Sequence, residues 1–278
     1  MNKNPYCYCN GRMAKLDTLH IPLNDLGILR AYGVFDYMRT HGGKPFLMDA
    51  HIDRFIRSTK LLGLKIPVSR AELKRIALDL IKKNKFPETA IKYVLTGGPS
   101  DDGVTIMSKP SFFVIATEVV DPPEKYYAKG VAIQTYEYQR LLPEIKSLNY
   151  IVSLKQQKDL KRKGILELLY VYGGKVFECS SSNIFMVKNG RLITPANDIL
   201  AGTTRRHVMN LAKGKCPVIE RPVRVEELKT ADEVFLTAAN KAVMPVVKID
   251  SFLIGNGEVG PISREIKRLY DKSLHEQK

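Results

Sequence analysis

Four short stretches carry side chains whose types and spacing could do chemistry, and they must be told apart from the 44 Lys and Arg of the whole chain. In EIKSLNYIVSLKQQKDLKRKG, residues 144–164, Lys146 stands immediately before a predicted helix, with Ser147 as its N-cap and Tyr150 on its first turn. An amine at a helix entrance, near partial positive charge and partly desolvated, gives up its proton more readily than the ordinary pKa of ~10.4 allows, as Schiff-base chemistry requires. The plainer alternative is a solvated surface amine. Gly202-Thr203-Thr204-Arg205 opens a second helix with Val208, Leu211 and Ala212 facing inward, so its first backbone N–H groups can take an anion. An ordinary Thr-rich helix start looks the same. Arg54 follows His51 by three residues on one helix face, where its guanidinium can fork onto a phosphate or pair with a carboxylate. Glu178 lies between Phe177 and Cys179 in the strand KVFECS, ahead of Ser180-Ser181-Ser182-Asn183. It is a strand-edge charge or the partner of a cation such as a pyridinium nitrogen.

The elements that must hold these groups follow from periodicity. PYCYC and RMAKL flank Asn10-Gly11 and predict a hairpin; GVFDYMRT and KPFLM predict another across Gly42-Gly43. The period then lengthens: DAHIDRFIRSTKLLG places Ile52, Phe55, Ile56, Leu61 and Leu62 on one helical face, with Asp49 as N-cap. Ser69 to Lys83 repeats the pattern with Leu73, Ile76, Ala77, Leu80 and Ile81. Strands IKYVLTG and SFFVIATEV come next, and DPPEKY, with two prolines, is the best linker. Beyond it the chain is strand-rich: VAIQTYEYQ, LELLYVY, KVFECS, NIFMVK, RLITP, EVFLTAA and PVVKID. Helices at about 150–163, 204–213 and 261–273 are interleaved. The reading is a mixed α/β fold of two domains: residues 1–120, a linker over 121–130, and a larger strand-rich domain over 131–278.

Composition sets the class. Of the 278 residues, 44% are hydrophobic and 26% charged, as in a globular protein, and the formal net charge is +15. That charge permits nucleic-acid binding but is spread along the chain without a block of five or six like charges, which favours a basic surface that draws in acidic small molecules. No apolar run approaches ~18 residues and MNKNPYCYCNGR lacks a signal-peptide core, so a cytoplasmic protein without membrane contact is expected. Cys7, Cys9, Cys179 and Cys216 make neither a metal-ligand pattern nor a disulfide framework and read as reduced thiols; no metal is expected.

Taken in order, HIDRF, IKSLNY, GGKVFECSSSNIF, RLITP, ILAGTTR, ADEVFLT and the late Pro245 resemble the class IV, or fold-type IV, pyridoxal-phosphate aminotransferases. That group includes D-amino-acid transaminases, branched-chain aminotransferases and aminodeoxychorismate lyases. The resemblance runs from NDLGILRAYGVFDYMRT through VVKID. It implies that Lys146 forms the internal aldimine with pyridoxal 5'-phosphate and shuttles the substrate proton. It further implies that Glu178 keeps the pyridine nitrogen protonated, that Arg54 with the N–H groups of Thr203 and Thr204 binds the phosphate, and that Tyr150 lies near the phenolic oxygen. A two-domain homodimer with a shared active site, working by a ping-pong exchange between an amino acid and a 2-oxo acid, is implied as well.

Subclass turns on how the substrate carboxylate is held. Where branched-chain enzymes carry a Thr-Gly-Thr-Ala-Ala-like turn, this chain reads TAANK at 237–241; the backbone at Ala239 is expected to serve the cofactor, and Lys241 is an unexpected charge. Familiar D-amino-acid transaminases use an early-strand Tyr and an Arg-x-His loop, but here Phe35 and PSDDGVTI stand in those places. ECSSSN and IKSLN resemble the D-specific sequences. Arg30 is therefore the leading carboxylate ligand and Lys241 the second, with Tyr32 able to add a hydroxyl; the alternative for Arg30 is a pair with Asp25 or Asp36. The reading ranks a D-amino-acid transaminase first, with branched-chain L-amino-acid transamination, an aminodeoxychorismate lyase or an amine transaminase as alternatives. A polyanion-binding protein on an inactive scaffold is the non-enzymatic alternative.

Overall fold

The computed structural model describes residues 4–107 and 109–276; Met1–Lys3 of the expected first domain, and of the segment read for a signal peptide, lie outside them. Two compact units result, one of residues through Val120 together with Ile145–Asn149, the other of Asp121–Glu144 and residues from Tyr150 onward.

In the first unit the Asn10-Gly11 turn, both residues at positive φ, closes β1 (Tyr6–Cys9) onto β2 (Arg12–Lys15). A short helix α1 (Leu26–Arg30), absent from the sequence reading, starts where the Asp25 carboxylate accepts from the Gly27 N–H. Then come β3 (Gly33–His41) and β4 (Lys44–Pro45), α2 (Met48–Leu61), α3 (Arg70–Asn84), β5 (Thr89–Thr96) and β6 (Phe112–Glu118). The strands form one antiparallel sheet in the order β2-β1-β6-β5-β3-β4. Its core joins Ile52 and Phe55 of α2 and Leu73, Ile76 and Leu80 of α3 to Val34, Met38, Ile91, Tyr93 and Phe112. Phe55 stacks on Tyr93 at 5.6 Å, and the Tyr93 hydroxyl donates to the Leu73 carbonyl at 3.0 Å. Two details of α2 differ from expectation. Its N-cap is Leu47 in a left-handed conformation, because Asp49 turns outward to Arg70 and Lys74, and Leu61 at the last turn is exposed.

The second unit begins with α4 (Glu124–Lys129), so part of the expected linker is helical. It continues through β7 (Val131–Glu137), α5 (Ile151–Lys163), β8 (Ile165–Tyr172), β9 (Lys175–Cys179), β10 (Asn183–Lys188), β11 (Arg191–Thr194) and α6 (Thr203–Ala212). β12 (Val218–Glu220), β13 (Val223–Arg224), α7 (Val225–Lys229), β14 (Glu233–Ala238), β15 (Ala242–Ile249), β16 (Phe252–Leu253) and α8 (Pro261–His275) complete it. The strands form one ten-stranded mixed sheet, β12-β11-β10-β14-β15-β7-β8-β9-β13 with β16 on β15. β12, β13, β16 and α7 are only two to five residues long, too short to show a period.

Residues 145–149 pack with the first unit although they lie in the sequence range 131–278. Ser147 bridges Val34, the Phe35 N–H donates to the Lys146 carbonyl at 2.9 Å, and Ile145 is buried in the first core.

Candidate active site

Lys146 sits on that short extended segment, not at a helix entrance. The helix begins at Ile151 with Tyr150 as N-cap, and Ser147 is engaged in the bridge to β3, so the expected helix-start environment is replaced by a buried one. Lys146 is only 9% exposed. Its backbone N–H donates to the Ser58 hydroxyl at 3.2 Å, and its Nζ lies 4.6 Å from the centre of the Phe35 ring.

Alternation along β3 decides what lies on its other face. Val34, Asp36 and Met38 point into the core, so Asp36 is buried completely and meets the face of α2 that carries His51 and Arg54. Arg54 donates from Nε at 2.7 Å and from Nη2 at 2.8 Å to the two Asp36 oxygens, while His51 Nδ1 is 2.7 Å from Asp36 Oδ1. Burial alone would raise the Asp36 carboxyl, but the Arg54 charge and the hydrogen bonds from His51 and Arg54 hold it far below the usual carboxylate range. Burial also lowers the pKa of His51, outweighing Asp36, so the imidazole is neutral at pH 7. Arg54 therefore meets a buried carboxylate rather than a surface one, and its Nη1 has no partner among the described residues.

In the second unit β9 carries Glu178, 3% exposed. One carboxylate oxygen accepts from Arg140 Nη1 at 3.1 Å; the other accepts from the Leu200 N–H at 3.0 Å and Asn183 Nδ2 at 3.4 Å. Arg140 in turn lies 5.9 Å from the Tyr150 ring centre. Asn183 also donates to the Leu200 carbonyl and pairs across the sheet with Thr237, whose hydroxyl is buried with no partner among the described residues. Gly202 packs against Asn183 so closely that a Cβ there would meet the amide oxygen at 2.0 Å. From Gly202 α6 runs inward with Thr203 and Thr204 buried and no side chain capping its N-terminus. Arg205 points away, to Thr194, the Pro195 carbonyl and Glu220.

The candidates for the substrate carboxylate separate. Arg30 is exposed on the last turn of α1, where its Nη1 donates to the Leu29 carbonyl. Neither expected pair forms, because Asp25 accepts from Gly27, Thr96 and Ser111 and Asp36 is taken by Arg54 and His51. Tyr32 donates its hydroxyl to the Leu62 carbonyl at 2.6 Å. Ala239 lies in the turn between β14 and β15, with Lys241 at its end; the ammonium contacts Glu167 Oε1 at 2.5 Å and the Ser181 hydroxyl at 2.8 Å. Arg140 and Glu167 escaped the sequence reading, which named Asp36 only as a partner for Arg30 and gave Asn183 no role. A signal existed for Asp36 and Glu167: both are acids flanked by apolar or aromatic residues at inward positions of strands, which demand a buried cation. Arg140 sits in a loop whose sequence has no period to flag it.

The sequence profile of the amino-transferase class IV family matches residues 33–249, and the chain belongs to that family. It is 33% identical over 273 residues, 95% of this chain and 94% of the other, to a Methanocaldococcus jannaschii protein provisionally named a branched-chain-amino-acid aminotransferase. It is 31% identical over 96% of its length to the D-alanine aminotransferase of Staphylococcus epidermidis, of which 97% is covered. Among solved structures, the branched-chain amino acid aminotransferase of Escherichia coli superposes with a TM-score of 0.90 at 25% identity, covering 96% of this chain and 93% of that one. The T.th. branched-chain amino acid aminotransferase with pyridoxamine 5'-phosphate also reaches 0.90 at 25% identity, covering 98% and 94%. Among the described residues no helix is long and apolar enough to cross a membrane, and no group of three or more His, Cys, Asp and Glu could hold a metal ion.

Proposed function

We propose that this aminotransferase uses pyridoxal 5'-phosphate to exchange the amino group of a D-amino acid with a 2-oxo acid, as a cytoplasmic homodimer. The observation that carries the cofactor assignment is Glu178, a buried carboxylate held in place by Arg140 and the Leu200 N–H. The donor set suits the group: an acceptor for a ring N–H, a buried amine, a guanidinium with Nη1 in reserve, and the unpartnered Thr237 hydroxyl. When bound, the cofactor supplies an electron sink for the pair left behind as the substrate Cα–H bond breaks. The Nζ of Lys146 would take the proton from Cα and deliver it to the cofactor's C4′ carbon, and the apolar Phe35 ring beside it limits water at the amine. Glu178 holds the proton on the ring nitrogen. Arg54, oriented by Asp36, binds the phosphate together with the N–H groups of Thr203 and Thr204, and Ala239 adds backbone from the neighbouring turn. Tyr150 would serve the phenolic oxygen.

D-amino acids are favoured by ECSSSN and IKSLN and by the relative named as a D-alanine aminotransferase. The branched-chain reading is supported by the relative at 33% identity and by the solved structures with that name. Arg30, exposed and bonded among the described residues only to its own neighbour's carbonyl, is the proposed carboxylate ligand. Exposed Ile28 and Leu29 in the first unit and Ile151 and Leu154 in the second are apolar surface that a second copy would cover; light scattering on the purified protein tests that. The deciding experiment titrates the purified, coloured protein with D-alanine, D-glutamate, L-leucine and L-glutamate. Bleaching of the visible band by a D-amino acid supports the first reading, and bleaching by L-leucine or L-glutamate alone replaces it with the branched-chain one. For the anchor, Arg30→Ala should raise KM for amino acids by the loss of a charge-assisted hydrogen bond, about 1.5–3 kcal/mol, and a KM within a few-fold of the parent removes Arg30 from the site.

A further inference from the structure

Below the Ser180-Ser181-Ser182 turn that follows Glu178, β8 presents Glu167 and the β14–β15 turn presents Lys241, 4% and 8% exposed. Their hydrogen bonds close on themselves. The Lys241 ammonium has three N–H donors. Its neighbours are Glu167 Oε1 at 2.5 Å, the Ser181 hydroxyl at 2.8 Å and the Ser182 hydroxyl at 3.4 Å. Both hydroxyls send their own hydrogens to Glu167, at 3.2 and 2.7 Å, which leaves their lone pairs for the ammonium. Glu167 also accepts from the Ser181 N–H at 3.0 Å and the Ser180 hydroxyl at 3.4 Å. Burial alone would raise the Glu167 carboxyl, but the Lys241 charge and the serine hydrogen bonds hold it below the ordinary carboxylate range, so the carboxyl is ionised. The cluster lies close to the cofactor-binding strand: the buried Cys179 thiol, next to Glu178, is within electrostatic reach of Glu167, Lys241 and Glu178 together.

We propose that Glu167 is a specificity-determining positioning residue: by saturating Lys241 it withholds that ammonium from substrate carboxylates and keeps the region beside the Glu178 strand electrically neutral. A substrate that brings a second carboxylate finds no donor there and must break a buried ion pair to obtain one. The inference rests on the transaminase reading but not on the handedness of the substrate.

The test uses the holoenzyme and compares D-alanine with D-glutamate as amino donors. Glu167→Gln keeps the shape of the side chain and removes its charge, leaving Lys241 as an uncompensated cation. The ratio of kcat/KM for D-glutamate over D-alanine should rise by about tenfold or more, mainly through KM, and the affinity for glutarate measured by calorimetry should rise with it while that for propionate stays put. The double variant Glu167→Gln with Lys241→Met should return the ratio to that of the parent. An unchanged ratio in folded Glu167→Gln, or a raised ratio that persists in the double variant, overturns the proposal. Should Glu167→Gln not fold, Lys241→Gln, which retains donors for Glu167, decides: its glutarate affinity should match the parent, and a tenfold loss would make Lys241 a direct carboxylate ligand despite Glu167. If the parent turns over only L-amino acids, the D reading fails by itself and the same ratio is read with L-glutamate and L-leucine.

Discussion

In the first unit Asp36 takes two donor groups of Arg54 and leaves Nη1 in reserve, whereas in the second Glu167 and two serines take every donor of Lys241. Both are cations beside a buried carboxylate, and formal charge alone would rate them equal. The difference lies in shape. A guanidinium offers five N–H groups in a fixed plane, so a carboxylate can hold one edge while another remains for an external anion. An ammonium offers three donors around a point and is exhausted by one carboxylate and two hydroxyls. A basic residue in a candidate site is thus a ligand candidate only after its donors have been accounted for, and by that standard Arg54 passes and Lys241 does not.

The comparison can be broken most severely at the amine next to the first cluster. Lys146→Ala should lower turnover by about 10²–10⁴-fold and abolish covalent attachment of the cofactor on borohydride reduction, read by intact mass; a variant that still gains the adduct places the reactive lysine elsewhere. Next in size, Glu178→Ala should cost about 10²–10³-fold in kcat and also remove the ion pair with Arg140, so the melting temperature should drop; a fall in melting temperature with kcat intact would make Glu178 purely structural.

Asp36→Asn sharpens the distinction, because Asp36 is not itself a proposed cofactor ligand yet its loss should weaken cofactor binding through Arg54. A stability loss of up to about 3–5 kcal/mol in chemical denaturation is expected once the half-buried Arg54 guanidinium loses the Asp36 charge, with a parallel fall in cofactor affinity in fluorescence titration. Stability loss with unaltered cofactor affinity would dissociate Arg54 from the phosphate. The acid limb follows the same carboxylate. Since its folded pKa lies below the unfolded value of ~3.9, its contribution is present above that pH and is lost as the pH falls through the folded value, so the Asp36→Asn variant should lose less stability than the parent on acidification below pH ~4. His51 adds an earlier limb: burial depresses its pKa, so stability present above ~6.5 declines as the pH falls toward the folded value, and a His51→Gln variant should show a flatter melting-temperature profile between pH ~7 and ~5. The smallest effect belongs to the surface. Arg70→Ala, which removes exposed pairs with Asp49 and Asp53, should leave the melting temperature and activity unchanged, and a clear fall in either would show a role that those screened contacts do not predict.

Periodicity and turn chemistry fixed much of this molecule in advance. Asn10-Gly11 and Gly42-Gly43 marked turns because they tolerate positive φ, and the apolar stripes of α2 and α3 marked helices because one face had to be buried. Lys146, Arg54, Tyr150, Glu178 and the start of α6 could be singled out because local motifs preserve chain order and residue type. Tertiary structure alone decided their partners. That Lys146 belongs to an extended segment along β3 instead of a helix start depends on a bridge to Val34, more than a hundred residues earlier in the chain. That Arg54 is aimed by Asp36, that Arg140 reaches Glu178, and that Lys241 is enclosed by Glu167 and the serine turn are contacts between segments distant in sequence. A local pattern records which way a side chain faces, but hydrogen-bond saturation is a property of everything that packs around it, and only the folded chain assembles that surrounding.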